Sequence, residues 1–141
     1  MRRLLAVLVV LALTACDSGG PAAVIGTGGS GSGLTGTYTL RTVNGATPPA
    51  VYRTQGTTSY EILDDAFSIG ASGSWTEVGH VRVTVNGGEP IASTLSDAGT
   101  YTTTSNSITL TSTAAGTSFT MVLGDGTMTL TNASYVLVYS K

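Results

Sequence analysis

"GTYTTTSNSITLTSTAAGTSFTMVLGDGTMTLTN", residues 99–132, decides the fold. Large apolar side chains recur at every second position: Ile108 and Leu110, then Phe119, Met121 and Leu123, then Met128 and Leu130. Thr and Ser fill most places between them. Successive side chains of a strand point to opposite faces, so each run has one apolar side and one hydroxyl side. Thr, Ile, Val and Tyr suit such a half-buried, pleated surface. Ser105-Asn106, Ala115-Gly116 and Gly124-Asp125-Gly126 separate the runs, and these residue types close hairpins because they reach positive φ. The rhythm predicts an antiparallel meander.

Upstream, the same pattern continues. In "GTYTLRTV", residues 36–43, Tyr38 and Leu40 share a face opposite Thr37, Thr39 and Arg41. Asn44-Gly45 and Asn86-Gly87-Gly88 are further turns, and Pro48-Pro49 interrupts pairing after the first strand. A phrase of Gly, Thr or Ser, a large side chain and Thr recurs at Gly36, Gly73, Gly99 and Gly126, with Thr replaced by Ser at 74. It reads as a strand start at which glycine turns the corner. Extended segments are expected at 36–43, 50–54, 58–63, 66–70, 73–85, 90–94, 99–104, 107–113, 117–123, 126–131 and 135–140. Some of them merge, leaving about eight to ten strands. The last, "YVLVYS", is apolar on both faces, with Tyr135, Leu137 and Tyr139 on one of them. The predicted fold is therefore all-β. Closing the meander into an up-and-down barrel removes the edges that an open Thr- and Val-rich sheet would expose. Strands that are mostly short, with threonine on the outside, do not read as a membrane-spanning barrel, whose strands need about 9–11 residues and an apolar exterior.

The stretches "GTYTLRTVNGATPP", "GTYTTTSNSITLT" and "YVLVYS" resemble the bacterial lipocalin-like lipoproteins. The likeness spans most of residues 34–141. It implies a small antiparallel, lipocalin-like β-barrel and brings no binding residues with it.

The chain opens "MRRLLAVLVVLALTACDSGG". Arg2 and Arg3 precede an apolar run from Leu4 to Leu13, which is the layout of a secretory signal. As a helix, residues 4–15 would reach only ~18 Å, short of the roughly 30 Å hydrocarbon core. "LTAC", residues 13–16, resembles the bacterial lipobox. That resemblance implies cleavage before Cys16 and a diacylglyceryl group on its thiol, which explains a single cysteine at this place. Asp17 resembles the inner-membrane retention signal of enteric lipoproteins, but which membrane holds the anchor is left open. The expected organisation is a signal peptide at 1–15, lipidated Cys16 with a Gly/Ser-rich tether at 16–33, and the barrel at 34–141. Such a tether spans ~23 Å r.m.s.. Its "GTGGSGSG" has no lysine and no helix pattern after it, so it does not read as a phosphate loop.

Loss of residues 1–15 leaves four basic residues against eight acidic ones, a formal charge of −4. That balance gives no electrostatic footprint for nucleic acid. With Cys16 acylated, no disulfide remains, and the core alone holds the domain.

Few residues carry chemistry. His80 is the only histidine, which excludes a multi-histidine metal site, and it reads as an exposed strand residue. No serine lies in a nucleophile elbow. "LDD" at 63–65 and "GDG" at 124–126 read as acidic turns, and Asp64 with Asp65 lacks the spaced oxygens of a calcium loop. No catalytic, metal or cofactor residue is assigned, and an enzyme is not expected. Glu77 stands apart, because it shares strand parity with Trp75, Val81, Val83 and Val85. The favoured reading is a bulge at Gly79 that turns Glu77 outward, making Glu77→Gln nearly silent. The other is a ligand-facing acid in the barrel mouth, grouped with Trp75, Tyr101 and Arg82. The expected function is a lipid-anchored protein of the bacterial envelope, on the periplasmic or extracellular side. Its barrel would bind a small apolar ligand without catalysis. The alternative is a module that interacts with, or inhibits, an envelope protein.

Overall fold

The computed structural model describes residues 33–141, and every regular element there is a strand. The signal segment, Cys16 and the tether up to residue 32 lie outside the described residues. The strands are β1 (Gly36–Val43), β2 (Ala50–Gln55), β3 (Thr58–Ile69), β4 (Ser74–Val85), β5 (Ile91–Thr103), β6 (Ser107–Ser112), β7 (Ser118–Gly124), β8 (Thr127–Thr131) and β9 (Val136–Ser140).

All pairings are antiparallel. From β3 to β9 each strand pairs with the next, β9 pairs with β1, and β1 closes the ring on β3. The result is a closed eight-stranded barrel. The ninth strand, β2, pairs with the first half of β3, while β1 takes its second half. The Asn44-Gly45 turn is a tight hairpin in which both residues have positive φ, and Val43 and Ala46 exchange backbone hydrogen bonds of 2.8 and 3.0 Å. The Asn44 side chain accepts a bond from Val136 N at 2.8 Å, which ties this turn to β9.

Alternation fills the barrel as the sequence predicts. Tyr38, Leu40, Ile108, Leu110, Met121 and Met128 are buried, together with Phe67, Ile69, Trp75, Leu137 and Tyr139. Phe119 and Leu130 share the inward parity but are only half-buried, because they border open space. On the outer face the hydroxyls pair across strands: Thr109 with Thr120 at 2.9 Å and Thr111 with Ser118 at 2.8 Å.

Three expectations are corrected. Residues 58–63 and 66–70 form one strand, so Asp64 and Asp65 stand within β3 and make no turn. Both have ladder partners on β4, Asp64 opposite His80 and Asp65 opposite Gly79. Residues 90–94 and 99–104 likewise merge into β5, and Gly99 lies inside it. It turns no corner: a Cβ there would stand 1.8 Å from Thr111 O and 3.0 Å from Trp75 Nε1. Glycine lets the Trp75 ring and the β6 backbone approach. Lastly, no bulge occurs at Gly79. The β3–β4 register shifts between Ile62 and Asp64, on the facing strand, and β4 runs regularly from Trp75 to Val81. Glu77 therefore keeps the inward parity of Trp75.

Candidate functional site

A cavity of about 440 Å³ occupies one end of the barrel. Its walls are apolar or aromatic: Ile62 and Phe67 on β3, Val81 on β4, Phe119 on β7, Leu130 on β8 and Leu137 on β9. Tyr52 and Tyr135 meet edge to face there, with ring centroids 5.5 Å apart. Leu95, Thr120, Thr131 and Asn132 also line it and are exposed, so the cavity opens to solvent at that rim. The opening follows from the pairing. Ile91–Ser96 of β5 pair with β4 alone, and β7 meets β8 only at Val122–Gly124. The wall is thus incomplete between these strands.

The polar groups inside are acidic. Asp65, Glu77 and Tyr139 all line the cavity. Asp65 is only 4% exposed. Its Oδ2 accepts a hydrogen bond from the Tyr139 hydroxyl at 2.7 Å, and among the described residues its Oδ1 has no fixed partner, only the proton it can share with Glu77. Gly79 makes the room, since a Cβ there would stand 2.7 Å from Asp65 Oδ1. Glycine inside a strand marks either a bulge or a close approach, and here it is the approach of a buried carboxyl.

Electrostatics follow from this geometry. Burial, then the charges of Asp65 and Asp97, push the Glu77 carboxyl up to about 8. Burial also raises Asp65, and the bond from Tyr139 opposes part of that rise. The Tyr139 hydroxyl is held protonated far above its usual range by burial and by Asp65. Asp97 stands directly opposite Glu77 on β5 and accepts bonds from Ser112 Oγ at 2.9 Å and from its neighbour Ala98 N at 2.8 Å. Two carboxyls at close range in an apolar wall cannot both ionise cheaply, so the pair retains a proton near neutrality.

Of the four residues grouped at the sequence level, only Glu77 lines the cavity. Trp75 is buried beside it, donating from Nε1 to Thr100 O at 3.0 Å and to Thr111 O at 3.3 Å. It packs on Phe67 and Phe119 at 5.8 Å each and supports the wall from behind. Tyr101 bonds Gly70 O at 2.8 Å, in the turn between β3 and β4. Arg82 lies on the outer parity and pairs with Glu61, its Nε 2.6 Å from Glu61 Oε2. His80 is also outside, with Nδ1 2.7 Å from Asp64 Oδ1.

Sequence reasoning missed Asp65 and Tyr139 as site residues. Parity carries a signal for Asp65, because it stands two and four residues before the core residues Phe67 and Ile69. Nothing local pairs it with Tyr139.

No family model, curated protein or solved structure matches the chain.

Proposed function

We propose that this protein is a lipid-anchored module of the bacterial envelope that binds a small, largely apolar ligand inside its barrel and performs no catalysis. The observation that supports this reading is the cavity of about 440 Å³ with its apolar walls. A volume of that order, with few polar groups, is typical of small-molecule pockets, and many eight-stranded barrels instead fill the interior with their own side chains. The anchor rests on "LTAC" and Cys16. Two or more acyl chains give stable membrane attachment.

Native mass spectrometry of the full chain purified from its own host tests the binding reading. The expected result is a second species heavier by a constant small-molecule mass, with that molecule released on denaturation. A single ligand-free species in repeated preparations would reject it.

One observation favours interaction with a protein instead. Among the described residues, Ile91–Ser96 of β5 have no backbone partner on their second side, and Ile91 is 65% exposed there. An unpaired edge of this kind accepts an added strand. Cross-linking from position 93 in intact cells separates the readings, since a partner on this edge would be captured as a discrete heavier band.

A further inference from the structure

We propose that the ligand carries a cationic amine, and that the Asp65 and Glu77 carboxyls receive it at the inner end of the cavity. This rests on reading the barrel as a binding module and names the chemical class that it takes. The first support is Asp65, a carboxyl only 4% exposed that lines the cavity and whose Oδ1, packed over Gly79, has no donor among the described residues besides the proton it can share with Glu77. A buried acceptor without a partner is costly, and a donor on the ligand removes that cost. The second is the sign of the surroundings. The titratable groups around the pair are Glu77 on β4, Asp97 opposite it on β5, Asp64 beside Asp65 on β3, and Tyr135 and Tyr139 on the β9 side. Among the described residues, no Lys, Arg or His lines the cavity. An anionic head group would meet two carboxyls and no counter-charge.

The third is the shape of the ligand implied. Calcium takes about six to eight oxygens and zinc about four ligands, whereas among the described residues no three His, Cys, Asp or Glu side chains come together to hold an ion, and the remaining wall here is apolar. An ammonium needs only a few acceptors and can bring an alkyl or ring body for that wall. Its three N–H donors suit two carboxyls, and such charge-assisted bonds are stronger than neutral ones. Binding then exchanges the proton retained by the pair for the ammonium charge, with the proton leaving to buffer.

Titration calorimetry with hexylammonium, 1-hexanol and hexanoate tests the proposal. Each is added to the full chain in detergent, with a protein-free detergent blank subtracted. Near pH 8 the amine remains charged, as a lysine does. Hexylammonium is expected to bind about tenfold or more tightly than hexanol, with hexanoate weakest. Repetition in buffers of different ionisation enthalpy should show protons released on amine binding to the wild type. In Glu77→Gln the preference for the amine over hexanol should fall toward parity and the proton release should shrink, while hexanol still binds. Equal or tighter binding of hexanol or hexanoate by the wild type would overturn the amine proposal and leave the binding module standing. No binding of any of the three above the blank would overturn both.

Discussion

The Tyr139 hydroxyl donates to Asp65 Oδ2 at 2.7 Å, a bond that joins β9 to β3 over the inner face of β1 and across 74 residues of sequence. Glu77 is the other side chain that can donate to this buried carboxyl, through the proton that the two acids share. Tyr139→Phe keeps the ring against Phe67, whose centroid lies 5.1 Å away, and removes only the donor. The expected loss is about 1–3 kcal/mol, the cost of leaving a buried polar group unsatisfied. The bond favours the charged form of Asp65, so the loss should be larger at alkaline than at acidic pH. Urea unfolding of both proteins at the two pH values measures it.

Glu77→Gln should change the pH dependence of stability. The folded-state value of Glu77 lies near 8 against an ordinary 4.5. Between those values the native state binds more protons than the unfolded chain, so wild-type stability falls as pH rises through that window. Glutamine does not titrate and can donate to Asp65. The variant should be more stable than the wild type above about pH 8, by about 1–3 kcal/mol, with a flatter profile below. Asp65 is also raised and leaves part of the slope. Denaturant midpoints across pH check this. Identical profiles would mean that Glu77 is solvated.

Leu110 and Thr109 test the two faces of β6. Leu110 is fully buried, whereas Thr109 bonds Thr120 on the outer face. Leu110→Ala should cost about 2–5 kcal/mol. Thr109→Ala should cost about 1 kcal/mol or less, the net value of one hydrogen bond. Equilibrium denaturation distinguishes them.

The anchor is tested on Cys16 directly. Growth with labelled palmitate should label the wild-type chain, and Cys16→Ser should abolish the label. The processed wild-type protein should begin at residue 16, as read by mass spectrometry of its N-terminal peptide. Label retained in Cys16→Ser would contradict the lipoprotein reading.

Much of the barrel is legible in the sequence, because burial on one face of a strand imposes a period of two on residues such as Ile108, Leu110, Met121 and Met128. The errors share a physical cause: Asp65, Glu77, Gly79 and Gly99 break local rules for reasons that lie on other strands. Two adjacent aspartates resemble a turn until Gly79 is seen to vacate space for one of them. Gly99 resembles a corner until the Trp75 ring and Thr111 O are seen against it. Glu77 violates the core pattern, for which a bulge is the economical local repair, but the register shift lies on β3 instead. The cavity follows from which stretches of β5, β7 and β8 lack partners, and no local pattern records that.

The central claim is that Glu77 faces the barrel interior beside Asp65. Carbon-13 NMR of the side-chain carboxyls, followed through a pH titration of the ligand-free chain and assigned with Glu77→Gln, tests it most directly. The account predicts a Glu77 midpoint near 8, displaced downward in an Asp65→Asn variant because a neighbouring charge that raises it is gone. A Glu77 midpoint close to the ordinary 4.5, unmoved by Asp65→Asn, would contradict it.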